Sequence, residues 1–382
     1  MKYKLSFLFL LLGFCMQAQT ALYNSGNIRI HETGKIGFHT NLINNTSFDE
    51  NLGLVGFYGL APIKVSGVFM PVFHHMEIVN SGGLYLDVAV CTTHQLDFIL
   101  GDIVTPKNQQ NIFFNFNQNA IYEGESNITK INGYATIVQK SNFIFPVGDS
   151  EQLRPLILSS NEKNSQAKCA YFFENPNNPF YFDTSFDTDK KVRNIALVCE
   201  TEFWDLNGSI RSTISLSWNN RSNIASLTDN LNKITIVGWS KTAQQWIIIG
   251  ATSITGDTSQ GFVTSKSFIP NDFEAITFGV LKNRTEIISV GNFLVTPNGD
   301  GNNDTLLIPE TKLSPNNSIQ IYDRFGLKIF DKNNYTNEFS GFPNIDNLII
   351  SKNEGLPSGI YFYILSLEDL NLNFQGFLYL NR

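Results

Sequence analysis

The chain has 382 residues, of which 42% are hydrophobic and only 16% charged, and its formal net charge is -7. That length exceeds what one small core holds and implies two or three domains. The acidic balance and the lack of any basic stripe argue against a nucleic-acid partner.

Residues 1–19 read as a secretory signal peptide. Lys2 and Lys4 form a basic start, Leu5 to Phe14 are almost wholly apolar, and Gln17, Ala18 and Gln19 supply a cleavage region. The apolar run is shorter than the roughly 18 residues a membrane helix needs, and no later stretch reaches that length, so no transmembrane helix is expected. Beyond Cys15 the chain keeps Cys91, Cys169 and Cys199, which allow at most one bridge within the chain and lack zinc spacing.

The mature chain reads as all-β, with Gly, Asn, Pro and Ser punctuating runs of Val, Ile, Phe, Tyr and Thr. In residues 20–150 the triplets Met76-Glu-Ile78, Leu84-Tyr-Leu86 and Leu96-Asp-Phe98 recur between turns. Short strands with outward polar residues suit a coil of parallel rungs, so an irregular β-helix-like N-terminal region is expected. Residues 151–282 alternate cleanly: Ile214, Leu216 and Trp218 share one strand face, with Thr213, Ser215 and Ser217 on the other. Lys233–Trp239 and Gln245–Gly250 form a plausible hairpin. The pattern predicts a middle antiparallel β-sandwich.

Candidate chemistry in these regions is sparse. There is no hydrolase nucleophile elbow, zinc-protease helix, phosphate loop or dinucleotide fingerprint. His74 and His75 adjoin on a strand and should face opposite sides. Glu200 and Glu202 would share one strand face, where paired carboxylates could serve glycoside hydrolysis. Trp204, Trp218, Trp239 and Trp246 could offer a sugar-stacking platform, or fill a core.

Residues 283–290 read as a linker, followed by a domain at 291–382 with strands near Ser318–Tyr322, Lys328–Phe330, Leu348–Ile350, Ile360–Leu367 and Phe374–Leu380. That size and strand number suggest a C-terminal immunoglobulin-like sandwich. Its motifs are Phe293-Leu-Val-Thr-Pro-Asn-Gly-Asp-Gly-Asn-Asn-Asp-Thr-Leu306, Ile319-Gln-Ile-Tyr-Asp-Arg-Phe-Gly326, Tyr335 to Gly341, and Leu356-Pro-Ser-Gly-Ile-Tyr-Phe-Tyr363. In this order they resemble the gliding motility-associated, type B sorting domain of type IX secretion in Bacteroidota. Phe325 stands where that family has Trp, and Phe339-Ser340 where it has Trp-Asp. The resemblance implies export across the inner and outer membranes, the type IX machinery as partner, and a cell-surface or extracellular location. It also implies Pro297, Asn298, Gly299, Asp300, Gly301, Asp304, Asp323, Arg324, Gly326, Pro357, Gly359 and Tyr361 as the motif residues.

The segment from Asn298 to Asp304 is dense in oxygen ligands, and Asp300, Asn302 and Asp304 are candidates for calcium. A full EF-hand loop is absent, because Asn303 stands at its glycine position and Pro309 at its final glutamate. The competing reading is a turn reversed by Gly299 and Gly301 and capped by Asn and Asp side chains. No other cofactor, and no catalysis, is expected. The function expected is adhesion or binding, in support of gliding motility or of a larger surface adhesin. A surface polysaccharide-binding protein or hydrolase is the alternative.

Overall fold

Three apolar positions recurring once per rung build the N-terminal region. Met76, with its register partners Val55 and Leu96 on the adjacent strands, is fully buried, and each strand pairs in parallel with the next. The computed structural model describes residues 21–282, 288, 290–345 and 355–382. The signal segment, most of the expected linker and the expected strand at Leu348–Ile350 lie outside the described residues.

The rungs form two parallel sheets. One contains Ala21–Asn24, Asn41–Asn44, Ile63–Gly67, Leu84–Leu86, Ile103–Val104 and Ile131–Asn132. The other begins with Lys35–Phe38, Leu54–Gly59, Val72–Asn80, Val90–Leu100, Phe114–Phe116 and Ala135–Ile137. Ile36, Val55, Met76 and Leu96 are partners 19, 21 and 20 residues apart, so one coil takes about twenty residues. Aromatic rings fill the interior: Phe38 stacks on Phe57 at 5.1 Å, and Phe48 meets Phe73 edge-on at 5.4 Å. Each fully buried Phe contributes roughly 1.5–3 kcal/mol. At a corner between rungs, buried Asn24 donates its side-chain amide to Asn44 at 2.7 Å, and Asn44 donates on to the Phe69 carbonyl at 2.9 Å.

The second sheet runs on across the expected boundary at 150/151. Ala135–Ile137 pairs in parallel with Phe114–Phe116 on one side and antiparallel with Ala167–Phe172 on the other. Phe203–Gly208, Phe273–Leu281, Ile234–Ser240 and Gln245–Ile248 continue it, giving a 13-stranded sheet. A five-stranded antiparallel sheet of Lys140–Phe145, Leu156–Asn164, Ser212–Trp218, Gly261–Ser265 and Ala251–Gly256 faces this part. The middle sandwich is thus built onto the solenoid and shares its core. Trp204 and Trp218, one from each sheet, both meet Phe278 near perpendicular, at 5.8 and 6.0 Å. The alternation read at Thr213–Trp218 holds, with Ile214, Leu216 and Trp218 buried.

Compact units divide at Leu281/Lys282. In the second unit the described strands make one five-stranded sheet, ordered Phe293–Val295, Leu372–Leu380, Gly359–Leu367, Asn317–Tyr322 and Lys328–Asn333. The second layer of the expected sandwich is irregular chain: Leu306, Ile308, Tyr335, Phe339 and Leu356 join Ile319, Tyr363, Leu365 and Leu378 in one core. No helix among the described residues is long and apolar enough to cross a membrane.

Candidate functional site

Strand direction gathers the sequence motifs of the second unit. Val295 pairs with Leu380 in parallel, Gly359 pairs with Leu380 antiparallel, and Tyr322 pairs with Phe362 antiparallel. The loop after Val295, the turn after Tyr322, the segment before Gly359 and the final residues therefore all leave the same end of the sheet. Segments lying between residue 296 and residue 382 become one rim.

Each segment is shaped by its own side chains. In the first loop, Asp304 accepts the Gly299 amide on one oxygen at 2.7 Å and the Gly301 amide on the other at 2.8 Å. Asp300 accepts the Asn302 amide at 2.7 Å, and this bond with one from Asn298 holds its carboxyl below the usual range. Gly299 and Gly301 sit at φ +78° and +86°, left-handed backbone that glycine adopts without strain. The calcium candidates Asp300, Asn302 and Asp304 thus lie in a self-capped, exposed turn. Among the described residues, no group of three or more His, Cys, Asp or Glu side chains gathers as a metal site. In the second segment, Asp323 accepts the amides of Phe325 at 2.9 Å and Leu327 at 2.8 Å. In the third, the Tyr361 hydroxyl donates to the Pro357 carbonyl at 2.8 Å.

Hydrogen bonds join the segments. Leu306 donates its amide to Phe339 at 2.8 Å, and the Tyr335 hydroxyl donates to the Leu306 carbonyl. Leu356 donates to the Gly341 carbonyl at 2.8 Å, and Arg382 donates its amide to Ser358 at 3.0 Å. Asp323, Arg324 and Phe325 line one cleft with Pro357, Gly359 and Tyr361.

The first unit presents a second polar arrangement. Glu77, Asp97 and Glu123 are successive register partners on the outer face of the long sheet. Tyr58 donates its hydroxyl to Glu77, and burial, this bond and the Glu77 charge push the tyrosine up to about 12. A Cβ at Gly56 would lie 2.0 Å from the Tyr58 ring, so glycine there lets the ring fold down toward Glu77. His75 Nε2 lies 2.6 Å from Asp97 Oδ2, and Gln95 bridges Asp97 and Glu123 at 2.6 and 3.3 Å. His74 and His94 stack at 4.8 Å with rings 7° from parallel. His74 and His75 therefore do not face opposite sides. Thr93 and His94 together oppose His74 in a β-bulge, so both histidines lie between buried Phe73 and Met76 on the outer face.

Glu200 and Glu202 share no face: Glu200 is exposed, whereas Glu202 is fully buried. The Glu202 carboxylate accepts from Arg154 at 2.8 and 2.9 Å and from the Tyr171 hydroxyl at 2.6 Å, which ties it into the core. All four tryptophans are buried, so they form no exposed platform. Cys91, Cys169 and Cys199 are buried free thiols.

Sequence reasoning missed the outer-face ladder. Its signal was present in the triplets Met76-Glu-Ile78 and Leu96-Asp-Phe98, whose central carboxylates become neighbours once the twenty-residue coil is known.

No curated protein and no solved structure matches the chain. Residues 288–380 match the family model of the CHU_C type IX secretion signal domain. The unit that gathers the motif rim is therefore a type IX C-terminal sorting domain, which directs export to the cell surface or extracellular space.

Proposed function

We propose that the first unit is a non-catalytic binding protein, carried outside the cell by the second and acting there as an adhesin or as an accessory to a larger surface adhesin that serves gliding. One observation carries this reading. Glu77, Asp97 and Glu123 repeat along the solenoid at the strand spacing of about 4.8 Å, flanked by Tyr58, His75 and Gln95. A rigid row of donors and acceptors at constant spacing suits an extended partner lying along the coil axis.

The test is a variant carrying Glu77→Ala, His75→Ala and Asp97→Ala, displayed on intact cells. Loss of adhesion with surface display unchanged supports the reading. Adhesion equal to wild type contradicts it.

Polysaccharide hydrolysis is the second reading, favoured by the direct register pairing of Glu77 and Asp97. Two carboxylates about 5–9 Å apart can act as acid and nucleophile or base. Release of reducing ends from a surface polysaccharide, abolished by Glu77→Gln, would favour this reading over simple binding.

A further inference from the structure

The sorting domain buries one face of its sheet and leaves the other open. On the buried side Tyr361, Tyr363 and Leu365 are at most 5% exposed. The alternate residues point outward, where an antiparallel sheet facing water normally carries polar groups. Here Leu294, Ile360, Phe362, Ile364, Phe377 and Tyr379 stand 41–51% exposed.

These residues are contiguous. Leu294, Tyr379 and Ile360 form one cross-strand row, and Phe377, Phe362 and Tyr322 form the next. A third row holds Gln375, Ile364 and Gln320, so none of the nine positions bears a charge. Single exposed apolar residues are ordinary, but a block in register marks a binding surface. The sheet edges are poorer docking sites. One edge strand, Phe293–Val295, has only three residues, and the opposite edge carries a Lys328–Asp331 ion pair at 2.6 Å. Short and charged edges discourage strand addition.

The apolar face is continuous with the motif rim. Phe362 lines the same cleft as Asp323, Arg324 and Pro357, and with Phe377 it lines a second depression that also reaches Arg324. The rim belongs to the matched secretion signal, so a component of the secretion machinery that reads it meets this face at the same time.

We propose that the outer face centred on Phe362 and Phe377, together with the adjoining rim, docks an apolar protein groove of the type IX secretion machinery. This rests on the reading of the second unit as the export signal. The rim sets orientation through its fixed turns and Arg324. The aromatic pair, at the centre of the face, supplies most of the affinity, as central aromatic anchors do.

The experiment uses the full chain in cells with a type IX system. Phe362→Thr with Phe377→Thr keeps strand-forming side chains while removing both rings. A melting temperature equal to wild type establishes that the domain folds. Surface signal on intact cells should fall about tenfold or more, with the protein accumulating in the periplasm, the effect of losing central anchors. Phe362→Tyr with Phe377→Tyr, which keeps both rings, should restore display. Normal display of the folded threonine variant overturns the proposal. So does a concentration-dependent dimer of the wild-type chain that the variant abolishes without loss of export, because the face would then join two copies. A chain ending at residue 281 separates the two levels. If it too is displayed, the export reading itself fails. If it stays periplasmic while the threonine variant is displayed, only the docking face is wrong.

Discussion

The Arg154 guanidinium and the Glu202 carboxylate meet inside the first unit at 2.8 Å, with side chains 2% and 0% exposed. Ser222 and the Ser217 carbonyl also accept from Arg154, and the Tyr171 hydroxyl donates to Glu202. Glu202→Ala leaves a buried cation without its carboxylate. Such a loss costs about 3–5 kcal/mol. Urea unfolding should register that drop, and a cost below about 1 kcal/mol would mean the pair is not structural.

Asp205 gives the first unit a pH signature. Burial pushes its carboxyl up to about 6, although Tyr134 donates to it at 2.8 Å and Asn207 at 2.8 Å. The folded value lies above the unfolded one, near 3.9, so the folded state holds the proton more tightly. The stability this provides is full below about pH 4 and is lost as pH rises through about 6. Relative to wild type, Asp205→Asn should gain roughly 2–3 kcal/mol on going from about pH 4 to pH 7. Parallel pH profiles for the two proteins would refute this.

His74 is held below the usual histidine range by burial first, then by the charges of His94 and His75. His94→Ala should raise the His74 value only in part, since burial remains. The stability tied to His74 is present above its unfolded value and is lost as pH falls through its lower folded value. Imidazole NMR titration reads the His74 shift and urea unfolding across pH reads the stability change, and an unmoved His74 would show the stack to be electrostatically silent.

The loop at 296–304 should behave as a turn rather than an ion site, because both Asp304 oxygens already accept amides. A chelator should leave the melting temperature of the second unit unchanged, while Asp304→Ala lowers stability by about 0.5–1.5 kcal/mol, because water replaces the carboxylate at the two exposed amides. A chelator-induced drop restored by calcium would reinstate the cation.

Much of this architecture was legible. Apolar triplets at 76–78 and 96–98 carry the coil, and period-two alternation carries the strand at Ser212–Trp218. What was hidden depends on pairing. The bulge that turns His74 and His75 to one side exists only because Thr93 and His94 both oppose His74, which no single strand reveals. The burial of Glu202 depends on Arg154, 48 residues away. The continuity of the long sheet past residue 150 depends on Ala135–Ile137 accepting a parallel neighbour on one side and an antiparallel one on the other. In the sorting domain the motifs were visible as separate strings, but their convergence on one rim follows from strand direction, and the apolar outer face follows from register.

Residues 282–382 form the address that takes the first unit outside the cell. The direct measurement is protease accessibility on intact cells, comparing the full chain with a chain ending at residue 281. The full chain should be cleaved by added protease and the shortened chain protected in the periplasm. Equal cleavage of both would contradict the account.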